Sequence, residues 1–576
     1  MKTNTSLAKK LLLSLFAILL PLLARAQVMI NGVYYNLDQD TKQAEVTKGS
    51  TKYSYSVTIP AVISYEDVDY NVTSIGDWAF DYCGNLKSIT IPESVTKIGK
   101  DAFRDCKNLT AVHINSVENW CNISFDNSAA NPLNCAKNLY LNNKLVTNLI
   151  IPEGVTSIGN HAFRYCSSIK SINIPESVTS IGDCAFTYCT NLLTIISPKN
   201  SQLTSIGSSA FSGCHQLIEI NIPEGVTHIG SSAFSGCSRF TSINIPEGVT
   251  SIGDNTFSNC TRLSSINIPG NSQLASIGNQ AFCSCSDLTS INIPEGVISI
   301  GDYAFLSCSS LTTVNIPENS QLKNIGNWAF QKCSNLTAIN IPEGVTCIGS
   351  ETFYYCTSLT TINIPENSQL TNIGYDAFYY CRSLTSITIP KGVTGMEEGA
   401  FRDCIGLTAI NIPEKVTSIE DETFQNCRSL TAITIPKNVK SIGYSAFSGC
   451  SGLTSITIPE NVLWIGWYAF KGCSSLTEIT CKAVNPPTNG NSSTFDGVDK
   501  SIPVYVPEGS VEAYKAVAYW SEFSNIVGTV TSIENTEIRS EESTIIYDLT
   551  GRPMTDTKHL KSGIYIVDGK KMLVKD

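Results

Sequence analysis

Between residues 72 and 480 the hydrophobic positions follow one short frame that repeats. In Leu407-Thr408-Ala409-Ile410-Asn411-Ile412-Pro413, Leu, Ile and Ile stand at offsets 0, 3 and 5, and the second half alternates apolar with polar. A period of two predicts a short strand with one buried face. The proline that follows ends the strand, because it has no N–H for the ladder. Val416 and Ile419 then mark a second inward-facing stretch. Ala-Phe-Xaa-Xaa-Cys, as in Ala400-Phe401 and Cys404, has helical spacing and predicts one turn of α- or 3₁₀-helix.

Phe-Xaa-Xaa-Cys recurs with its cysteine at Cys83, Cys106, Cys166, Cys189, Cys214, Cys237, Cys260, Cys285, Cys308, Cys333, Cys356, Cys381, Cys404, Cys427, Cys450 and Cys473. These sixteen copies are 23 or 25 residues apart, except for a gap of 60 between Cys106 and Cys166. The longer copies carry Asn-Ser-Gln-Leu after the proline, as in Asn319-Ser320-Gln321-Leu322, where shorter ones have Gly-Val, as in Gly344-Val345. Two residues added at one fixed point predict a surface loop, since an insertion in packed structure would displace every later contact. A unit of 23 residues has no core of its own and buries its apolar positions only against a copy of itself. The expected fold is therefore a mainly β solenoid of short strands and helical or 3₁₀ turns, with one parallel sheet on one face and one contiguous core. The irregular stretch 115–149, with Trp120, Cys121 and Cys135, reads as one expanded repeat.

Composition narrows the function. The net charge of −11 argues against binding a phosphate backbone, which needs clustered cations. The five histidines are scattered, with no pair at metal-ligand spacing, and no metal or other cofactor is expected. Metalloprotease, nucleophile-elbow, phosphate-loop and dinucleotide motifs are all missing, so no catalytic residue is assigned. Twenty-two cysteines would suggest disulfides in an exported chain, but sixteen share one repeat position. Their side chains would point in parallel, awkward for the dihedral of about 90° that a disulfide needs, so a column of buried thiols acting as small hydrophobes is expected. Cys121 and Cys135 are candidates for a bridge.

Two further columns follow from the register. Asn173, Asn221, Asn244, Asn267, Asn292, Asn315, Asn340, Asn363 and Asn411, with Thr388, Thr434 and Thr457, stand between the two inward apolar residues of their strands. Either this small, polar face binds a ligand through regularly spaced hydrogen-bonding groups, or it is a solvated face kept soluble without charge. Glutamates after the strand proline, among them Glu295, Glu318, Glu343 and Glu366, form a carboxylate column, interrupted by Lys199, Lys391 and Lys437, that reads as a solvated edge, the alternative being an edge that attracts cations or a basic partner.

The ends carry addresses. Lys2, Lys9 and Lys10, an apolar run over 11–23 and Ala24-Arg25-Ala26 make a secretory signal with cleavage before Gln27. No later run is long enough for a membrane-spanning helix, so the mature protein is expected to be exported without one. Near the other end, Asp568-Gly569 between two β-prone runs predicts a hairpin.

The repeat, with its Ile-rich strand and its Cys after Phe, resembles the BspA-like subtype of leucine-rich repeats found on bacterial surface proteins. Gly32-Val33-Tyr34-Tyr35 resembles that family's N-terminal cap, and Val504-Tyr505-Val506-Pro507-Glu508-Gly509-Ser510 with Trp520 resembles its C-terminal cap. Tyr547-Asp548-Leu549-Thr550-Gly551-Arg552 and Lys561-Ser562-Gly563-Ile564-Tyr565 resemble the C-terminal sorting domain of type IX secretion in Gram-negative bacteria. The resemblances imply a signal peptide (1–26), an N-terminal cap (27–71), the solenoid (72–480), a C-terminal cap (481–528) and a small β-sandwich-like sorting module (529–576). They also imply an adhesin-like, non-enzymatic protein, secreted or held at the outer surface, with the secretion machinery engaging its C-terminus. Its partners would be host extracellular-matrix or plasma glycoproteins, or other bacterial surfaces. A passive envelope element, or a glycan-binding or glycan-active protein, is the alternative.

Overall fold

The computed structural model describes residues 27–529 and the backbone of the strands Ile546–Tyr547, Gly563–Val567 and Lys570–Val574. The signal-peptide segment and most of the sorting module lie outside the described residues. The chain forms two compact units that divide between Gly392 and Val393.

In both units each repeat is one coil. In the first, the strand Ser171–Asn173 pairs in parallel with Thr194–Ile196, placing Ile172 beside Ile195. The second inward stretch is a two-residue strand, and Ser157–Ile158, Ser180–Ile181, Ser205–Ile206 and His228–Ile229 stack in parallel as a second ladder. In the second unit, Ser418–Ile419, Ser441–Ile442 and Trp464–Ile465 repeat that ladder. The expected single sheet is interrupted. The front ladder that begins at Asn148 ends at Ile220, and Ser265–Asn267 ends the next. After Asn267 the Asn271-Ser272-Gln273-Leu274 insertion follows directly.

Behind the strands runs a column of phenylalanines. Rings Phe257, Phe282, Phe305, Phe330, Phe353 and Phe378 stack with centroids 5.2 to 5.6 Å apart, all fully buried. Phe401, Phe424, Phe447, Phe470 and Phe495 do the same in the second unit at 5.3 to 5.8 Å.

The Ala-Phe segment keeps the i→i+3 bonds expected of a 3₁₀ turn but is not a helix. Ala304, Leu306 and Cys308 donate to Gly301, Tyr303 and Phe305 within their own coil. The alternate amides, Tyr303, Phe305 and Ser307, donate instead to Asn327, Ala329 and Gln331 of the next coil at 2.8–2.9 Å. That alternation requires left-handed backbone at Tyr303 (φ 57°) and Ser307 (φ 59°), and equivalent residues in other coils share it. Such a conformation costs an L-residue about 1–2 kcal/mol. The inter-coil bonds hold it in place, which ties every turn to its neighbour.

The cysteines do more than fill space. The Cys308 thiol donates to the Phe282 carbonyl of the preceding coil at 3.1 Å, and the same carbonyl accepts the Cys285 N–H at 3.1 Å. Cys106, Cys189, Cys333 and Cys473 repeat the contact at 3.0–3.2 Å. A buried carbonyl has two lone pairs and is costly to leave unsatisfied. A thiol is the small side chain that supplies the second donor while remaining apolar enough for the core. All described cysteines are free, Cys121 and Cys135 included, so the candidate bridge is not made. Cys135 instead joins the column, its thiol facing the Phe103 carbonyl at 3.5 Å. The expanded repeat is anchored by Trp120, whose Nε1 donates to the Ala162 carbonyl at 2.7 Å.

Glycine at the Ile-Gly step is set by close approach. A Cβ at Gly301 would lie 2.6 Å from the Asn279 backbone nitrogen, and one at Gly326 would lie 2.5 Å from that of Asp302. Asp302 and Asn279 use this proximity: the Asn279 Oδ1 accepts the Asp302 N–H, and the Asp302 Oδ1 accepts the Asn327 N–H, both at 2.8 Å.

Beyond the last coil, Glu478–Cys481, Pro503–Pro507 and Asn525–Thr529 pair in parallel. The expected hairpin is present as backbone, with Val567 opposite Lys570 in antiparallel pairing.

Burial pushes the column thiols up, to about 11 at Cys166 and about 12 at Cys237 and Cys473. A thiol that ionises near 9 when unfolded but only at 11–12 when folded stabilises the fold below pH 9 and withdraws that stability as pH climbs towards 12. Unfolding free energy should therefore be flat from pH 7 to 8.5 and fall steeply above pH 9. Urea titrations across that range check it, and a Cys237→Ala, Cys260→Ala pair should shallow the slope.

Candidate functional site: a trough on the strand face

Every asparagine and threonine of the first column is exposed. Within the first unit the strands bring Asn244 beside Asn267, Asn292 beside Asn315 and Asn340 beside Asn363. Thr388 belongs to the same unit, and Asn173 and Asn221 lie nearer its start. Asn411, Thr434 and Thr457 belong to the second unit, where Thr457 pairs with Thr480. The amides bond to one another: Asn315 Nδ2 donates to Asn292 Oδ1 at 2.7 Å, and Asn363 Nδ2 to Asn340 Oδ1 at 2.8 Å. The flanking hydroxyls are also engaged, with Thr337 and Thr360 donating to the carbonyls of Thr312 and Thr337. Each amide in a pair keeps hydrogen-bonding capacity on its outer side.

The column is not uniform. Asn173 stands between Ile150 and Ile196, which are 57% and 58% exposed. No periodicity argument identified these two, because they occupy a polar position of the repeat.

At one place the face becomes concave. A trough of about 710 Å³ crosses four successive coils, from Ile316-Pro317-Glu318 through Asn340–Glu343 and Thr361–Pro365 to Ser386-Ile387-Thr388. Its cause is visible in the register. Strands Ala338–Asn340 and Thr361–Asn363 pair through all three residues, whereas Thr313–Asn315 and Ala338–Asn340 stop at Val314 and Ile339. The coil that releases its last pair is a 25-residue copy, whose Asn319-Ser320-Gln321-Leu322 loop begins just beyond. The same shortening follows the long copy at Ile196, where pairing with the next strand stops at Ile195 and Ile220. In both long copies the last front pair is absent on the side where the insertion follows. Ile364 and Pro365, in the second long copy of the trough, are only half-buried, while Ile341 and Pro342 are buried.

The lining supplies amides (Asn340, Asn363), hydroxyls (Thr361, Ser386, Thr388) and two carboxylates (Glu318, Glu343) over an Ile and Pro floor. No aromatic ring, histidine, lysine or arginine lines it. Such a surface offers hydrogen bonds and negative charge to a ligand lying along the coils. Sequence reasoning placed the asparagines on it but treated the glutamates as a solvated edge. Among the described residues, no group of three or more His, Cys, Asp or Glu is placed to hold a metal ion. No helix among them is long and apolar enough to cross a membrane.

Parallel coils, a phenylalanine spine and strands on one face define a leucine-rich-repeat solenoid. The family model described as BspA type leucine rich repeat region matches residues 61–143, 134–264, 194–285, 250–381 and 371–500, and the chain belongs to that family. Among solved structures it is similar to a leucine-rich repeat protein from Bacteroides ovatus, at 26% identity over 87% of this chain and 99% of that one, with a TM-score of 0.41. A leucine rich cell surface protein from Faecalibacterium prausnitzii is 23% identical over 88% and 96%, with a TM-score of 0.27. The pneumococcal vaccine antigen PcpA is 17% identical over 88% and 99%, with a TM-score of 0.32. No curated protein gives a significant match.

Replacing residues 318–322 with Glu-Gly-Val converts this coil to the short form. The strand pair should then extend to Asn315 and Asn340, so that the Ile316 amide gains protection. Hydrogen exchange at Ile316 in the shortened and parent proteins measures this directly.

Proposed function

We propose that this protein is a non-enzymatic recognition protein, secreted or held at the outer cell surface, which binds host or bacterial macromolecules through its strand face. The observation that carries the reading is the face itself: small polar groups repeat with each coil and remain exposed, and a trough lies among them. A stack of coils concentrates its free hydrogen-bonding groups along an extended side, which suits many weak contacts with a large partner. The trough presents amides, hydroxyls and carboxylates along the coils, which suits binding through many polar contacts. Membership of the BspA-type family supports partners such as matrix and plasma glycoproteins or other bacterial surfaces.

Purified mature protein should bind saturably to a host-glycoprotein array. Replacing Asn292, Asn315, Asn340 and Asn363 with alanine should weaken that binding at least tenfold while leaving thermal unfolding within a few degrees. Unchanged binding by the variant, or none above an unrelated solenoid, contradicts the reading.

Export by the type IX route is the second element of the proposal, supported by the resemblance of residues 529–576 to its sorting domain. Deleting those residues should hold the protein in the periplasm, as read by surface labelling of intact cells. Labelling equal to that of the full chain contradicts it.

A further inference from the structure

The trough gathers the polar and acidic groups of the face into one concave stretch. Its rim carries Glu318 and Glu343 on adjacent coils, Glu366 follows in the same column before Lys391 ends the acidic run, and all three carboxylates are exposed. No cation lines the trough, so the rim charge is not neutralised from within. That arrangement disfavours nucleic acids and acidic glycans through like charge. The lack of any aromatic ring removes the stacking platform on which a sugar ring would lie. What fits is a partner with positive charges at the rim and aliphatic stems against the half-buried floor of Pro317, Ile364 and Pro365.

Spacing narrows the partner further. Neighbouring coils are about 4.8 Å apart, so two coils span about 9.6 Å. An extended β-strand repeats its side chains every ~6.6–6.8 Å, which matches neither one coil nor two. Polyproline II repeats every three residues at 3.1 Å each, about 9.3 Å, close to two coils. Its backbone groups make no internal hydrogen bonds and are free to meet the outward sides of Asn340 and Asn363. Because the conformation is preformed, little entropy is lost on docking.

We infer that the trough over residues 316–388 takes a polyproline-like polypeptide segment carrying Lys or Arg at every third residue, laid along the coils with its cations on the glutamate rim. This rests on the reading of the strand face as a recognition surface and specifies the chemistry of its partner.

The test uses the full mature protein and a fluorescent peptide of six Pro-Pro-Lys repeats, read by anisotropy. Saturable binding is expected, weakened about five- to tenfold by E318Q/E366Q, the two rim carboxylates two coils apart, and lost at 0.5 M salt, with no binding of the Pro-Pro-Glu analogue. Both substitutions are at exposed positions, and unchanged circular dichroism shows that the variant folds. Equal affinity of the double variant, binding of the acidic analogue, or binding only of a neutral oligosaccharide overturns the inference. If the glycoprotein array still binds through the asparagine column while the basic peptide does not, the partner chemistry fails and the recognition surface stands.

Discussion

The fold depends on one constraint: a coil of 23 or 25 residues completes neither its core nor its backbone hydrogen bonding alone. The Phe carbonyl shows how tightly that is met. It lies in the core, its first lone pair is taken by the Cys N–H of its own coil, and its second by the Cys thiol of the next. Beside it, alternate amides cross to the neighbour from residues held in left-handed backbone. Strain within a coil is thus balanced by bonds between coils, and the phenylalanine stack adds burial along the same line.

This arrangement decides where function can reside. The inward positions and the turn are committed to stacking, and Gly301 and its equivalents leave no room for a side chain. Variation is tolerated on the outward strand positions and in the loop after the proline. The loop is the more consequential, because two added residues alter the strand beside them. The trough lies where the strand pair stops one residue short beside the Asn319-Ser320-Gln321-Leu322 loop, and ordinary repeat side chains line it.

Much of this was legible in the sequence. The period, the inward Ile and Phe, the exposed asparagines and the loop position all follow from spacing, which is what stacking makes regular. The left-handed turn was not, because residues as different as Tyr303, Ser307 and Lys332 adopt it and only the inter-coil bonds require it. Thiol donation was hidden because a buried cysteine and a small hydrophobe leave the same pattern. The single expected sheet is interrupted after Ile220 as well as after Asn267, and only the second break precedes an insertion, so the loop pattern alone did not reveal it. The trough was missed because spacing alone does not show where the face turns concave, and Glu318 and Glu343 look there like any solvated glutamates.

The central claim is that reduced thiols donate to the phenylalanine carbonyls from coil to coil. Infrared absorption of the S–H stretch, in a window where other protein groups are silent, tests it without a mutation. The account predicts a strong band moved to lower frequency than that of a free thiol, returning to the free position on unfolding. A native band already at the free position, or one too weak for the cysteines present because they are oxidised, would contradict it.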